Sequence, residues 1–263
     1  MKLLTEDQVN SYKKNGFIVL DIFNEKEIDE ISDEYNKIFG RHQKARTEST
    51  WKGEDWKKGK DNLEVKSIHA FQMHSSVFTR TILHDKLLDA CEDVMGTPNV
   101  LLHHTKSHLK PPGTGSPFPM HQDYHYFPFK KDSMVAIFIS LDKSEPENGG
   151  LCVYPGSHLL GPQEDKSETS EYHYLDLEKF PIEKAVPVNM ERGQVVIFSY
   201  LLIHGSYDNI SDRVRRMFLI QLMSAEDEPI KDVHNSPCQG MVLRGENVRK
   251  DANFDKRFVR GEL

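Results

Sequence analysis

The chain has few cysteines, and no two of them are close in sequence. Its 263 residues include only Cys91, Cys152 and Cys238, and none of the three belongs to a CxxC motif. Disulfide frameworks and thiolate zinc sites both need paired cysteines, so the sequence predicts neither. This pattern favours a reducing compartment.

Long apolar runs and clusters of positive charge are also missing. No segment approaches the ~20 apolar residues of a membrane-spanning helix, and the first residues, MKLLTEDQVNSYKKNG, turn polar too early for a signal peptide. The formal net charge is −7 with acidic and basic residues interspersed, so we expect binding to neither nucleic acid nor a membrane. The final RGEL is not an SKL-like peroxisomal signal. We therefore expect a cytoplasmic protein whose partner is a small molecule.

Hydrophobic residues are frequent enough for one substantial core. They make up 37% of the chain, and aromatic residues make up 10%, which suits a single domain over residues 1–263. We expect a mainly helical part with a lid loop at 1–98, a β core at 99–225 and a C-terminal extension at 226–263.

Helix signals dominate the first third of the chain. Capping-box spacing occurs at 5–8 and at 24–27, and it predicts two helices, one that stops at Gly16 and one that ends at Gly40. A further helix is predicted from about 86 to 95.

The segment 41–66 is rich in lysine, shows weak periodicity and contains both Trp51 and Trp56. Long loops in compact domains are often functional. We therefore predict a long, partly mobile loop that serves as a lid.

Short β segments dominate from residue 99 onward. Turn-forming stretches such as KPPGTG and PENGG separate them, and no helices alternate with them. This pattern is typical of an antiparallel sandwich or barrel, so the predicted fold class is α+β with the early helices packed outside. The predicted strands, including one early strand, lie at 17–20, 100–110, 134–141, 151–155, 195–200 and 216–224.

The segment HQDYHYFPF, residues 121–129, contains two residue types that bind metals. In an extended backbone the side chains at i and i+2 leave the same face, so His121 and Asp123 can bind one ion. His204 follows the apolar run VVIFSYLLI and is the candidate for a third ligand. Two histidines and one carboxylate leave open positions on non-haem Fe(II) for a co-substrate and O2.

Arginines follow His204 after 9, 11 and 12 positions, at Arg213, Arg215 and Arg216. An arginine on the next strand can hold a dicarboxylate through two parallel hydrogen bonds. Arg215 is the preferred candidate, and the phase of the strand decides between it and Arg213.

Three segments together resemble the phytanoyl-CoA dioxygenase family of Fe(II)/2-oxoglutarate oxygenases. They are HQDYHYFPF, ENGGLCVYPGSH at 147–158, and HGS with the arginine cluster, and the resemblance extends over about residues 16–224. It implies a double-stranded β-helix, or cupin-like jelly roll, with the metal at one mouth. The implied ligands of Fe(II) are His121, Asp123 and His204, with 2-oxoglutarate and O2 as co-substrates and ascorbate as reductant.

The resemblance also implies contacts with 2-oxoglutarate. Arg215 would bind its outer carboxylate with help from Ser206, and Lys66 matches a family lysine, although its spacing to the next phenylalanine differs by one residue. Lys106 stands where the family has an apolar residue. Period-two alternation places Lys106 with His104 on one face, so it either meets a carboxylate of 2-oxoglutarate or substrate, or faces solvent.

The predicted substrate pocket includes Tyr124, His125 and Phe138, together with Trp51 and Trp56 from the lid loop. The implied reaction is hydroxylation of an aliphatic C–H bond, with 2-hydroxylation of a fatty acyl-CoA such as phytanoyl-CoA as the first choice. One alternative is a tailoring hydroxylase of a free amino acid or secondary metabolite. The other is a jelly roll that binds metal as a sensor and has no activity.

Overall fold

The computed structural model describes residues 1–51, 64–167, 172–231 and 235–249. None of its described helices is long and apolar enough to cross a membrane. The helices are α1 (Glu6–Asn15), α2 (Glu25–Ala45), α3 (Ser76–Ile82) and α4 (Asp85–Met95), with short 3-10 helices at Phe71–Met73, Asp123–His125, Ser157–Leu160 and Ile182–Lys184.

Two antiparallel sheets face each other. The larger has the order β1-β9-β6-β11-β4-β3-β2 with β12 also paired to β4, and the smaller has the order β5-β10-β7-β8. This is the predicted double-stranded β-helix. The strands are β1 (Phe17–Asp21), β2 (Ser49–Trp51), β3 (Val65–His69), β4 (Val100–Lys110), β5 (Phe118–His121), β6 (Val135–Ser140), β7 (Leu151–Val153), β8 (Val186–Pro187), β9 (Gln194–Ser199), β10 (His204–Ser206), β11 (Arg215–Ser224) and β12 (Val242–Arg244).

The large sheet is covered on both faces, which explains why its strand β6 is apolar at the successive positions 135–139. On β6, Ile137 and Ile139 belong to the core beneath the helices. Ala136 and Phe138 belong to a second core that also contains Leu151 of the small sheet. Alternation along one strand therefore places the helices on one side and the cavity between the sheets on the other.

The N-terminal helices form as their caps predict. Thr5 and Asn24 both complete capping boxes, and Gly16 ends α1 with a φ of 82°. The helix α2 continues beyond the predicted end at Gly40 and stops at Arg46, whose φ is 54°. A glycine inside a helix costs only about 1 kcal/mol, which the packing of the neighbouring Phe39 offsets.

The predicted lid loop 41–66 is wrong in part. Its first residues continue α2, and the chain then forms β2, which pairs with β3. A three-residue connection at 46–48 and a short edge strand carry too little periodicity to be seen in the sequence. Trp56 and the side chain of Trp51 lie outside the described residues, so the lid remains a prediction.

Tyr35 anchors α2 to the sheet that carries the cavity. Its side chain is completely buried, and its hydroxyl donates to the carbonyl oxygen of His108 on β4 over 2.8 Å. Phe39 and Phe71 stack around the ring.

We predict that Tyr35→Phe lowers the free energy of unfolding by about 1–3 kcal/mol, because it leaves a buried carbonyl without its donor. Tyr12→Phe is the matched control, since Tyr12 is also a buried helical tyrosine but its hydroxyl makes no hydrogen bond to the described residues. Urea unfolding measures the free energy of unfolding of both variants, and we expect their m-values to be unchanged. Equal losses in the two variants would contradict the anchoring role.

Candidate metal centre

The sheet register brings the two predicted histidine ligands together. His121 ends β5, His204 begins β10, and the two residues are direct Cα partners in the antiparallel pair. Their ring centroids lie 4.2 Å apart. Residues directly opposite each other on neighbouring strands project to the same face, which explains why positions far apart in sequence meet at one point.

Asp123 reaches the same point by a different backbone conformation. The strand ends at His121, Gln122 is still extended (φ −121°, ψ 135°), and Asp123 begins a 3-10 turn. Only one extended residue is needed to place His121 and Asp123 on one side. Gln122 points the other way and is held by the carbonyl oxygens of Gly161 and Leu201.

The three side chains have the geometry of a metal site. One potential ligand atom from each lies within 4.8 Å of the other two. The Nε2 atoms of His121 and His204 are each 3.7 Å from Oδ1 of Asp123. Two imidazoles and one carboxylate that converge in this way leave one side of an ion open, as Fe(II) oxygenases require.

Hydrogen bonds fix the tautomers of both histidines. Nδ1 of His121 lies 2.7 Å from the carbonyl oxygen of Pro119, and Nδ1 of His204 lies 2.9 Å from that of Leu202. A carbonyl oxygen can only accept, so each Nδ1 carries the proton. Each Nε2 therefore offers a lone pair to an ion. Metal-binding histidines are usually held in this way, by a hydrogen bond from the other ring nitrogen to a carbonyl oxygen.

Gln221 orients the carboxylate. Its Nε2 donates to Oδ2 of Asp123 over 2.6 Å, which turns Oδ1 toward the two imidazoles. Gln221 lies on β11, and no motif in the sequence points to it. The one sequence feature that could have indicated this residue is the alternation of β11, which places Gln221 on the same face as Arg215.

Burial keeps both imidazoles neutral. It lowers the pKa of His121 to about 3, with a further contribution from His204, and it lowers the pKa of His204 to about 4. Burial also raises the pKa of Asp123. A bound dication favours the ionised carboxylate and leaves neutral imidazoles as ligands, so the protonation states suit metal binding.

Arg215 is buried at the other end of the cavity. It is 3% exposed, its Nη2 donates to the carbonyl oxygen of Gly149 over 2.7 Å, and its Nε is buried with no hydrogen-bond partner. Burial lowers the pKa of Arg215 to about 10, so it stays charged at neutral pH. A buried guanidinium with an unused donor fits a carboxylate ligand.

The other two arginines of the cluster face away from the cavity. Arg213 is exposed and forms ion pairs with Glu145 and Glu147 at 2.6 and 3.2 Å. Arg216 pairs with Asp142 at 2.6 Å. The strand β11 begins at Arg215, so Arg213 precedes it in the exposed loop, and Arg215 is the arginine that lines the cavity.

Ser206 lines the cavity next to Arg215 and rests on a lysine that sequence reasoning missed. Nζ of Lys110, which is completely buried, donates to Oγ of Ser206 over 2.7 Å. Lys110 is also the Cα partner of Arg215. It belongs to the KPP segment, whose two prolines suggested a turn rather than an inward-facing cation.

Lys66 does not lie in the cavity. Its Nζ is 3.4 Å from Glu64, and Ser67 takes the inward position on β3, where its hydroxyl lies 2.9 Å from Nδ1 of His108. A shift of one residue along a strand moves a side chain to the opposite face. The difference of one residue in spacing therefore removes Lys66 from the described lining of the cavity.

Of the predicted wall residues whose side chains the structure describes, Phe138 lines the cavity and the other two do not. Tyr124 packs toward Tyr200, and His125 lies beside Tyr124 with its Nε2 buried and without a hydrogen-bond partner. The 3-10 turn changes the periodicity from the extended pattern we expected. Tyr126 therefore lines the cavity in place of its two predecessors.

The chain also matches known proteins. Residues 12–217 match the family model described as Phytanoyl-CoA dioxygenase (PhyH). The chain belongs to the phytanoyl-CoA dioxygenase family. The peroxisomal phytanoyl-CoA dioxygenase of Homo sapiens is 28% identical over 264 residues, which cover 95% of this chain and 75% of that protein.

The chain is also similar to proteins with other names. A probable alpha-ketoglutarate-dependent hypophosphite dioxygenase of Stutzerimonas stutzeri is 25% identical over 85% of this chain and 80% of its own length. The crystal structure of EctD from S. alaskensis with bound Fe has a TM-score of 0.69 at 21% identity, covering 87% of this chain and 79% of that one. The latter similarity supports the fold alone.

Family membership and the His-Asp-His site identify an Fe(II)- and 2-oxoglutarate-dependent dioxygenase that hydroxylates a small molecule. The sensor alternative is therefore wrong. The donor set and the unused Nε of Arg215 both fit the cofactors of this family.

We predict that anaerobic Fe(II) with 2-oxoglutarate gives a weak visible charge-transfer band, and that His121→Ala and His204→Ala both lose it, because each removes one ligand of three. Exposed His74 provides the control, since His74→Ala leaves the site intact. A band of full intensity in either ligand variant would refute the assignment.

Proposed function

We propose that the substrate is a small polar molecule rather than a fatty acyl-CoA. The observation that carries this proposal is the cavity itself, whose volume is about 160 Å³ and whose lining includes Lys106, His104, His108 and Gln221. Drug-sized ligands occupy pockets of roughly 300–1,000 Å³. The same space must also hold Fe(II) and 2-oxoglutarate, which leaves room for a compact molecule.

The polar lining disfavours an acyl chain beside the metal. Moving an ammonium or imidazole out of water and against hydrocarbon carries a desolvation cost that an alkyl group cannot offset. Lys106 lies on the face that points to the metal ligands, and the nearby Asp123 favours its charged form. These features support the tailoring-hydroxylase alternative over the acyl-CoA first choice.

Apolar residues lie beside the polar ones on the same sheet, where Met217 and Leu219 pair directly with His108 and Lys106. Phe138, Met217 and Leu219 come from neighbouring strands of the large sheet and line the cavity. They limit access of water to the reacting carbon and hold the substrate in one position. Bound Fe(II) would supply activation of O2, which is the oxidant that converts an aliphatic C–H bond to C–OH. 2-Oxoglutarate would supply the other two electrons that O2 takes up, on its conversion to succinate and CO2.

In this proposal His121, Asp123 and His204 hold the iron, and Arg215 with Ser206 holds the outer carboxylate of 2-oxoglutarate. The buried guanidinium of Arg215 can donate from Nε, which has no partner among the described residues. Lys110, which donates to Ser206, adds positive charge at the end of the cavity where Arg215 lies. This arrangement fixes 2-oxoglutarate in one orientation.

We predict that Arg215→Met raises the KM for 2-oxoglutarate by about 10- to 100-fold, the loss expected for a charge-assisted hydrogen bond of about 1.5–3 kcal/mol. Arg213→Met is the matched control and should leave this KM unchanged, since Arg213 pairs only with Glu145 and Glu147. Fe(II) affinity should stay constant in both variants. The reverse ranking of the two arginines would contradict the proposed clamp.

The substrate class is tested by measuring succinate released from 2-oxoglutarate with Fe(II) and ascorbate. We expect small polar acids and amino acids to raise the rate above the uncoupled background and to yield a product heavier by one oxygen atom. We expect acyl-CoA thioesters to have no such effect, because the cavity lacks space for them. Coupled turnover with acyl-CoA thioesters alone would overturn the proposed substrate class.

A further inference from the structure

Lys106 is a cation in the cavity that forms no ion pair with the described residues, although the charge of the nearby Asp123 favours its protonated form. It lies in the middle of β4 and lines the cavity with the metal ligands. Among the residues that the structure describes, none forms a hydrogen bond or ion pair with its ammonium group. Burial lowers the pKa of Lys106 only to about 8, so the group is mostly charged at neutral pH.

The cofactors do not neutralise this charge. In the loaded site Fe(II) would offset the charges of its ligand Asp123 and of one carboxylate of 2-oxoglutarate, and Arg215 would offset the other carboxylate. These two residues and Lys106 are the side chains of fixed charge in the described lining of the cavity. The loaded site therefore keeps an excess of positive charge, at Lys106 and at Lys110 beneath Ser206. An uncompensated charge in a cavity of low dielectric constant favours binding of an anion.

The register separates Lys106 from the arginine that holds the co-substrate. Lys106 is the Cα partner of Leu219, and Arg215 is the Cα partner of Lys110. The four residues from Lys106 to Lys110 span roughly 13 Å of strand. Arg215 and the metal take the two carboxylates of 2-oxoglutarate, which leaves Lys106 for a different molecule.

A second unused group lies next to Lys106. Nε2 of Gln221 donates to Asp123, whose carboxylate can only accept, so Oε1 is the free end of this amide. Oε1 is buried and has no hydrogen-bond partner. Gln221 follows Leu219 on the same face of β11, which makes it a diagonal neighbour of Lys106 in the sheet.

We propose that Lys106 and Oε1 of Gln221 form the substrate anchor, and that the substrate is a small carboxylic acid with an O–H or N–H group beside its carboxylate. Lys106 pairs with the carboxylate, and Oε1 of Gln221 accepts the hydrogen bond from the neighbouring O–H or N–H. The two contacts would place the acid beside the iron with its aliphatic part against Phe138 and Leu219. This inference deepens the proposed function and rests on it.

The experiment measures binding of 2-hydroxy and 2-amino acids of three to six carbons, and of their primary amides, to the anaerobic protein loaded with Fe(II) and 2-oxoglutarate. Perturbation of the charge-transfer band reports binding. We expect acids to bind and amides to bind at least about tenfold more weakly, as for loss of a charge-assisted contact. Lys106→Met should weaken acid binding by about 10- to 100-fold and reduce the preference for acid over amide, whereas Lys106→Arg should retain it.

Lys66→Met is the matched control, because Lys66 is a nearby lysine that pairs with Glu64 outside the cavity. It should leave acid binding unchanged. The affinity for 2-oxoglutarate, from titration of the same band, should change by less than about twofold in Lys106→Met.

Three outcomes overturn the anchor. They are a tenfold loss of 2-oxoglutarate affinity in Lys106→Met, equal binding of acids and amides, and a panel in which no acid binds. The proposed function fails separately, if acyl-CoA thioesters and not small polar molecules support coupled turnover. Binding of small neutral molecules without any preference for acids would leave the proposed function intact and reject the anchor alone.

Discussion

Two cations, Arg215 and Lys106, line a cavity in which Asp123 is the one acidic side chain among the described lining residues. Burial lowers the pKa of both basic groups, yet both remain charged at neutral pH. The fold therefore holds positive charge that its own side chains do not neutralise, at a cost in stability. A dicarboxylate co-substrate relieves this cost at Arg215, and an acidic substrate would relieve it at Lys106. The same charges that destabilise the empty cavity thus provide its selectivity.

The registers of two strand pairs in the double sheet determine where the metal ligands and the two cations lie. Pairing of β5 with β10 places His121 opposite His204, while pairing of β4 with β11 sets the distance between Lys106 and Arg215. The helices cover the outer face of the large sheet, and Tyr35 ties them to the carbonyl of His108 on β4. Packing on the outside therefore fixes the positions of side chains on the inside. The two histidine ligands lie on the small sheet, Asp123 lies on the 3-10 turn that follows it, and the cations lie on the large sheet, so the site depends on both sheets.

Features that depend on local spacing could be predicted from the sequence. The caps at Thr5 and Asn24, the main β strands and the convergence of His121 with Asp123 follow from short-range periodicity. Features that depend on strand phase or on contacts with neighbouring strands could not be predicted from the sequence. A difference of one residue moved Lys66 to the outer face, and the 3-10 turn after His121 replaced the expected wall residues. Gln221 and Lys110 gave no recognisable motif, because each acts only through a partner about 100 residues away.

The central claim is that Arg215 is retained for binding and not for stability. Thermal unfolding of the metal-free protein and of the protein with Mn(II) and 2-oxoglutarate, for wild type and Arg215→Met, tests it most directly. We expect metal-free Arg215→Met to melt at nearly the same temperature as wild type, because removal of a buried unpaired charge offsets the loss of the hydrogen bond to the carbonyl oxygen of Gly149. We also expect this variant to lose the stabilisation that 2-oxoglutarate gives to the Mn(II)-loaded wild type. A lower melting temperature of the metal-free variant, with the stabilisation by 2-oxoglutarate retained, would contradict the account.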